Sequence, residues 1–539
     1  MAHMYGAIPE GGRYELPPAI PNSMLYRVKQ IQGVSKQILK LVPNSGQTSV
    51  GAGQKIIVSL PANSLVDLST FEFNFTGQTQ HNGNASASYN NNYVQTRFFP
   101  RNTASLIENL EIKINGQSRQ NINQYGYLYN ILYDYTCGDD ANRKNRIGCN
   151  ADPSNKAFYL KSGVRRRAGY PIGLYAVNGD NDWSCRDKDN YTIRQWLGIL
   201  GGNASTTVID TSIYGQVDIE ITLAPAGVLI LGAAIATATI TALTTGTSEI
   251  GVATTGGSGT TGLVSSEGTS YSLSNIAFSI TRYDMPSSYY DAVRSVLQSG
   301  ATYKFYYPNY SCFQGIAASN KSGTTRFTLS TQSLDMVIGT FQIPNRDTQQ
   351  QPMLGNITKK YVGTDAGQEF GSLDKTLNYA LNSGQPVTLN NSKYFIRNGS
   401  GIKTCTWLCG NVRLASAPEN INEQFNGVLK AFNSQNDTLG GVYPGIQSIA
   451  HYQDQFYAHI LSLNVSGEKD LYTVSGLNSS EIPISIGWEV VGGDALDNLD
   501  IGTNGIFADT ATTSCIPLLF ACYSSHLEIS AGRNVITMP

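Results

Sequence analysis

Two alternating runs near the start constrain this chain most. Residues 55–75 read KIIVSLPANSLVDLSTFEFNF, and residues 97–117 read RFFPRNTASLIENLEIKINGQ. Phe71, Phe73 and Phe75 alternate with Glu72 and Asn74, and Leu110, Ile112 and Ile114 alternate with Glu111 and Lys113. A period of two puts apolar side chains on one face of a sheet and polar ones on the other. Asn115-Gly116 ends the second run with a pair suited to a tight hairpin turn. These runs predict the first strands of a β-sandwich, with Phe71, Phe73 and Phe75 in its core.

The same pattern recurs. YGQVDIEITLAP alternates Val217, Ile219, Ile221 and Leu223 with Asp218, Glu220 and Thr222, and Ile276, Phe278 and Ile280 alternate further on. QYGYLYNILYDYTCG changes period: Leu128, Ile131, Leu132 and Tyr135 fall at helical spacing. IRQWLGILGG is ambiguous between helix and strand. Residues 286–300 predict a short linker helix, with Val293, Val296 and Leu297 as its apolar face, Ser287 or Ser288 as cap and Gly300 as stop. Beyond it, TRFTLSTQSLDMVIGTFQIP echoes the opening run. Leu334, Met336 and Ile338 are expected to play the part of the three phenylalanines. GSLDKTLNYALNSG predicts a helix near 371–384, and TCTWLCGNVRL a strand. APENINEQFNGVLKAFNSQND predicts another helix, with Ile421, Phe425, Val428, Leu429 and Phe432 on one face. QFYAHILSLNVSG, EIPISIGWEVVGG and SCIPLLFACYSSHLEIS read as closing strands.

The expected organisation is all-β: two tandem eight-stranded jelly rolls, with short helices in the connections. An N-terminal arm occupies 1–46, roll one 47–285, the linker helix 286–300 and roll two 301–539. Within the arm, MLYRVKQIQGVSKQILKLVP mixes apolar residues with lysines and could dock on a neighbour, a membrane surface or its own domain. Inside roll one, residues 222–270 form a long apolar and Gly/Thr-rich loop. No charge occurs from Thr222 to Ser248. A membrane-spanning helix must be weighed for such a span, but Pro225 and the repeated threonines favour a loop or an extra hairpin.

Composition narrows the function. Net charge is −2 and charged residues are only 14%, so a sequence-specific or genome-packaging grip on nucleic acid, which needs concentrated basic charge, is not expected. The Arg143, Lys144, Arg146 and Arg165, Arg166, Arg167 clusters read as solvated loops or, failing that, a phosphate or partner site. The eight cysteines form no CxxC and no zinc spacing, and read as buried thiols. The opening MAHMYGAIPEGGRYELPP lacks the apolar core of a secretory signal.

No GxSxG, HExxH or phosphate-binding GxxxxGK[ST] pattern is present. His451 and His459 have no metal-ligand spacing. Asp494, Asp497 and Asp500 read as a turn cluster rather than a calcium loop. No catalytic, cofactor or metal residue is assigned, and no enzyme activity is expected. The four tryptophans (183, 196, 407 and 488) are dispersed. That disfavours the alternative class, a carbohydrate-binding or glycan-processing β-sandwich with a Trp-lined groove.

SLPANSLVDLSTFEFNF, RFFPRNTASLIENLEIKINGQ, YGQVDIEITLAP, SNIAFSITRYDMP and the closing SSHLEISAGRNVITMP, taken as an ordered pattern across about 47–539, resemble the double jelly-roll major capsid proteins of tailless icosahedral double-stranded DNA viruses. The polinton-like viruses, virophages and nucleocytoplasmic large DNA viruses carry such proteins. The resemblance implies a homotrimer whose six rolls make a pseudo-hexagonal capsomer. It implies neighbouring capsomers, penton and minor capsid proteins as partners, and location in the virion shell. It leaves open an internal membrane and a spike or penton role. Low charge and many tyrosines suit extensive protein–protein contact.

Overall fold

The computed structural model describes residues 34–81, 97–100, 103–136, 174–176, 183–201, 207–231, 264–265, 269–316 and 321–342, and thereafter segments that include 401–414, 417–432, 456–463, 476–479, 484–492 and 515–529.

Sixteen of its strands make two copies of one topology. In the first half these are β1 (Ser35–Leu41), β2 (Lys55–Ser59), β3 (Leu65–His81), β4 (Ile107–Ile114), β5 (Gln117–Asn123), β6 (Trp183–Ile193), β7 (Val217–Leu223) and β8 (Thr269–Asp284). They form two sheets, in the orders β1-β8-β3-β6 and β2-β7-β4-β5. In the second half they are β9 (Tyr303–Gln314), β10 (Gly323–Leu329), β11 (Leu334–Gln342), β12 (Ile402–Cys409), β13 (Val412–Arg413), β14 (His459–Ser462), β15 (Ile484–Gly492) and β16 (Ile516–Ile529). Their orders are β9-β16-β11-β14 and β10-β15-β12-β13. Adding eight to every label of the first roll gives the second, so the echo between residues 55–75 and 325–344 is a correspondence of strands β2–β3 with β10–β11. The pairings within both rolls are antiparallel. The fold is a tandem pair of eight-stranded jelly rolls.

The first strand corrects the expected boundary. Ser35–Leu41 is not part of an arm: it pairs with β8 along its length, from Ser35↔Asp284 to Leu41↔Phe278. As an edge strand it buries little, Leu39 and Leu41 being half-buried and Ile38 74% exposed. Lys36 and Lys40 are the charges that edge strands carry against unwanted pairing. Those lysines gave the segment its arm-like appearance.

Roll one packs as the alternation predicts. Phe71, Phe73 and Phe75 are buried, and Phe73 lies 4.8 Å from Phe278 on the neighbouring strand. The opposing sheet contributes Ile219 beside Val58 and Ile112, and Ile221 beside Ile56 and Leu110. Asn115 and Gly116 both adopt positive φ, 52° and 76°, as a mirror-image hairpin turn requires. On the outer face Glu220 receives Lys55 and Lys113, each at 2.6 Å. Burial pushes its carboxyl up, and the hydrogen bonds from Lys113 and Lys55 outweigh burial, leaving it below the usual range.

In roll two Leu334 and Ile338 are buried as expected, but Ile338 does not face the opposing sheet. The inner side of β11 carries Gly339 and Phe341. Phe341 lies 5.2 Å from Trp488, and a Cβ on Gly339 would meet the Trp488 ring at 2.8 Å. Ile338 is on the opposite face, level with Phe520 of β16, and Met336 is half-buried. Phe520 stacks at 6.4 Å on Tyr127 of roll one. Both faces of β11 are covered, one by its own sandwich and one by the other roll.

Among the described residues three helices of more than one turn stand in the connections: α1 (Tyr125–Thr136), α2 (Ser287–Gln298) and α3 (Ile421–Ala431). In α2 the N-cap position is Pro286 without a side-chain cap, so Ser287 and Ser288 are inside the first turn rather than capping it. Gly300, at φ 88°, stops the chain as expected. Asn420 and Glu423 form a full capping box at the start of α3. The ambiguous IRQWLGILGG segment ends β6 and then makes a short 3-10 turn at Gly198–Leu200. The described part of the charge-poor segment places Ile230–Leu231 antiparallel to Arg97–Phe98. The rest of that segment, the basic clusters at 143–146 and 165–167, the 371–384 helix, His451 and the aspartates at 494–500 lie outside the described residues. No helix among the described residues is long and apolar enough to cross a membrane.

Candidate functional site: the seam between the rolls

The most specific polar chemistry in the described residues joins the two rolls. Its centre is α1, whose sequence YGYLYNILYDYT sets aromatic and aliphatic residues on every side, with Asn130 and Asp134 among them. A helix of that kind must be covered all round, and nearly every residue of α1 is buried. One side packs on roll one, where Asn130 donates to Ser105 Oγ at 2.7 Å. The other side faces roll two. Tyr127 donates its hydroxyl proton to the Phe341 carbonyl at 2.8 Å, and Tyr135 donates to the Phe456 carbonyl. The Tyr135 ring stacks on Phe432 at 5.6 Å. Burial pushes the hydroxyls of Tyr127 and Tyr135 well above their ordinary pKa, which keeps them neutral donors.

Two arginines of roll two complete the seam. Arg397 is fully buried, and its Nη2 lies 2.8 Å from Oδ2 of the nearly fully buried Asp134 on α1. Arg346 is 3.3 Å from Glu108 and 2.6 Å from the Gln124 side-chain oxygen, and its guanidinium lies 3.8 Å above the Tyr394 ring. Tyr394 in turn donates to Glu108 at 2.8 Å. A planar guanidinium can hold a carboxylate and stack on an aromatic ring together, which lysine cannot do. Further along, Gln120 of β5 donates to Asn309 Oδ1 at 3.1 Å and to the Pro308 carbonyl at 3.2 Å, both on β9. A short antiparallel pair, Val264–Ser265 with Gln349–Gln350, adds backbone contact between the halves. Gly227 abuts Asp347, where a Cβ would come within 2.5 Å of the backbone. Hydrogen bonds and buried charges are directional, so this seam fixes one orientation of the rolls as an apolar contact alone would not.

No candidate site residue was assigned from sequence, and among the described residues no group of His, Cys, Asp and Glu could hold a metal ion. His459 is a core residue. Its Nδ1 accepts from Trp488 Nε1 at 2.9 Å and its Nε2 donates to Glu419 at 2.6 Å. Desolvation lowers its pKa below the usual value, against the pull of Glu419. The tryptophans are less dispersed than the sequence suggests: Trp407 and Trp488 stack at 5.9 Å. Both are buried, 3% and 1% exposed, so they form a core and not a sugar platform. Cys312, Cys405, Cys409, Cys515 and Cys522 are free thiols, and burial pushes those of Cys312 and Cys405 up to about 12.

The two sandwiches and their seam define the double jelly-roll fold. A chain of the Sputnik virophage structure is similar to this one over 98% of this chain and 94% of its own, with a TM-score of 0.53 at 13% identity. A chain of the PBCV-1 virus capsid covers 95% of this chain (99% of its own, TM-score 0.49, 11% identity), and the mavirus major capsid protein covers 98% (95% of its own, TM-score 0.45, 10% identity). No protein-family model and no curated protein sequence matches the chain.

Proposed function

We propose that this protein is a major capsid protein, and that three copies form a pseudo-hexagonal capsomer that tiles an icosahedral viral shell. The observation that carries this reading is the similarity to the Sputnik virophage chain through both rolls and nearly to both ends. The internal logic agrees. Two rolls of equal topology, held at one angle by a buried polar seam, give a chain that contributes two sides of a hexagon. Three such chains supply six rolls without six-fold symmetry in the sequence. The function is carried by shape and contact, with no enzymatic step. Location in the virion shell and contacts with neighbouring capsomers, pentons and minor capsid proteins follow from it.

The carbohydrate-binding alternative gains nothing from the stacked Trp407 and Trp488, because both are buried. Native mass spectrometry, with size-exclusion light scattering, tests the proposal. A species of three times the chain mass that forms hexagonal arrays on concentration supports it. A stable monomer with affinity for glycans would sink it.

A further inference from the structure

Roll two has an open corner. β10 is an edge strand, paired to β15 on one side and to no described strand on the other. In a strand, alternate residues turn their N–H and C=O groups to opposite sides, so an edge presents a row of unpaired backbone groups. At the start of β10, between it and the end of β9, lies a cleft of about 450 Å³. Its floor is apolar: Phe341, Val490 and Pro517. Its mouth carries Ile316, which is 90% exposed, and the exposed Arg326, while Lys321 lines it as a buried residue. Among the described residues no acidic one lines it. Arg326 is exposed, touching only the Gly410 carbonyl at 3.5 Å among its described contacts. The nearest acid on the adjoining strand, Glu489, is taken up by Arg413 at 3.6 Å.

We infer that this corner receives an extended acidic peptide of a partner protein, added as a further strand on β10. Backbone pairing along an exposed edge gives such complexes affinity, and side-chain pockets at alternate positions give them specificity. Successive residues of the added strand would point inward and outward in turn. An inward apolar side chain would enter the cleft over Phe341 and Val490 and cover Ile316. Its outward neighbours would meet Arg326, where a carboxylate is the complementary charge. The favoured sequence therefore alternates apolar and acidic residues. This inference stands whether or not the protein builds a shell.

Fluorescence anisotropy on the full chain tests it, with a fluorescein-labelled heptapeptide alternating valine and glutamate. Its lysine-for-glutamate counterpart and a backbone N-methylated version serve as controls. Saturable binding of the glutamate peptide is expected, weakened by added salt and by about tenfold or more in Arg326→Glu, a loss of about 1.4 kcal/mol. Lys36→Glu, which reverses an exposed charge on roll one away from the cleft, should leave it unchanged. Equal binding of the lysine peptide, equal loss in Lys36→Glu, or undiminished binding by Arg326→Glu overturns the charge pattern. Undiminished binding of the N-methylated peptide overturns the strand addition, and absence of saturable binding overturns the whole.

Discussion

Arg397→Ala should damage the protein out of proportion to a single lost ion pair. Arg397 is fully buried and Asp134 nearly so, with 2.8 Å between them. Truncating the arginine takes a buried cation away from the Asp134 carboxylate, and breaking a buried pair in this way costs about 3–5 kcal/mol. For folded units of this size about 1 kcal/mol moves the melting point by about 2–4 °C, so a fall of about 6–20 °C is expected. Arg397 Nε has no hydrogen-bond partner among the described residues, which leaves the arginine incompletely satisfied there even when the pair is intact. The double variant Asp134→Leu with Arg397→Met, which removes both charges and keeps the volume, should therefore recover most of the loss. Chemical denaturation of the wild type, the singles and the double gives the coupling directly. Because the pair joins the rolls, Arg397→Ala should also split a common unfolding transition into two. A cost below about 1 kcal/mol, the worth of an exposed pair, or a double variant worse than either single, would refute the claim that this contact sets the seam.

Other consequences are testable in the same way. Stability should fall as pH drops below 6.5, because the unfolded chain then takes up a proton on His459 that the folded chain resists; His526, also lowered by burial, adds to this. The limiting slope is about 1.4 kcal/mol per pH unit for each group, and His459→Gln should flatten it in a pH-dependent melting series. Glu419, held below the usual range by its hydrogen bond to His459, loses its contribution only further down, as pH falls through its own lowered value. Gly339→Val should cost at least about 1–3 kcal/mol through overpacking against Trp488, read by denaturant unfolding. Asn420→Ala should cost about 1 kcal/mol by removing the cap of α3. Deleting residues 1–33 should leave the oligomeric state unchanged in light scattering, whereas deleting 1–46 removes β1 and should destabilise roll one.

Roll one was legible because each of its main strands has one buried face. Phe71, Phe73 and Phe75 alternate with Glu72 and Asn74, and that contrast fixes the register. β11 offers no such contrast. From Val337 to Gln342 every residue is buried, so alternation cannot say which side meets the opposing sheet, and Ile338, buried as expected, does not face it. Asp134, Glu108, Arg346 and Arg397 were invisible for a different reason. A lone charge in a loop or helix reads as solvated, and the partners stand 263 and 238 positions apart in sequence. One signal could have found the seam. α1 sets tyrosines at 125, 127, 129, 133 and 135 among Leu128, Ile131 and Leu132, so it has no side to give to water. A helix with aromatic and aliphatic residues all round and a strand apolar on both faces each demand one more covering surface than a single sandwich supplies. In this chain that surface is the other roll, and both elements meet it at the place where Tyr127 touches Phe341 and Phe520.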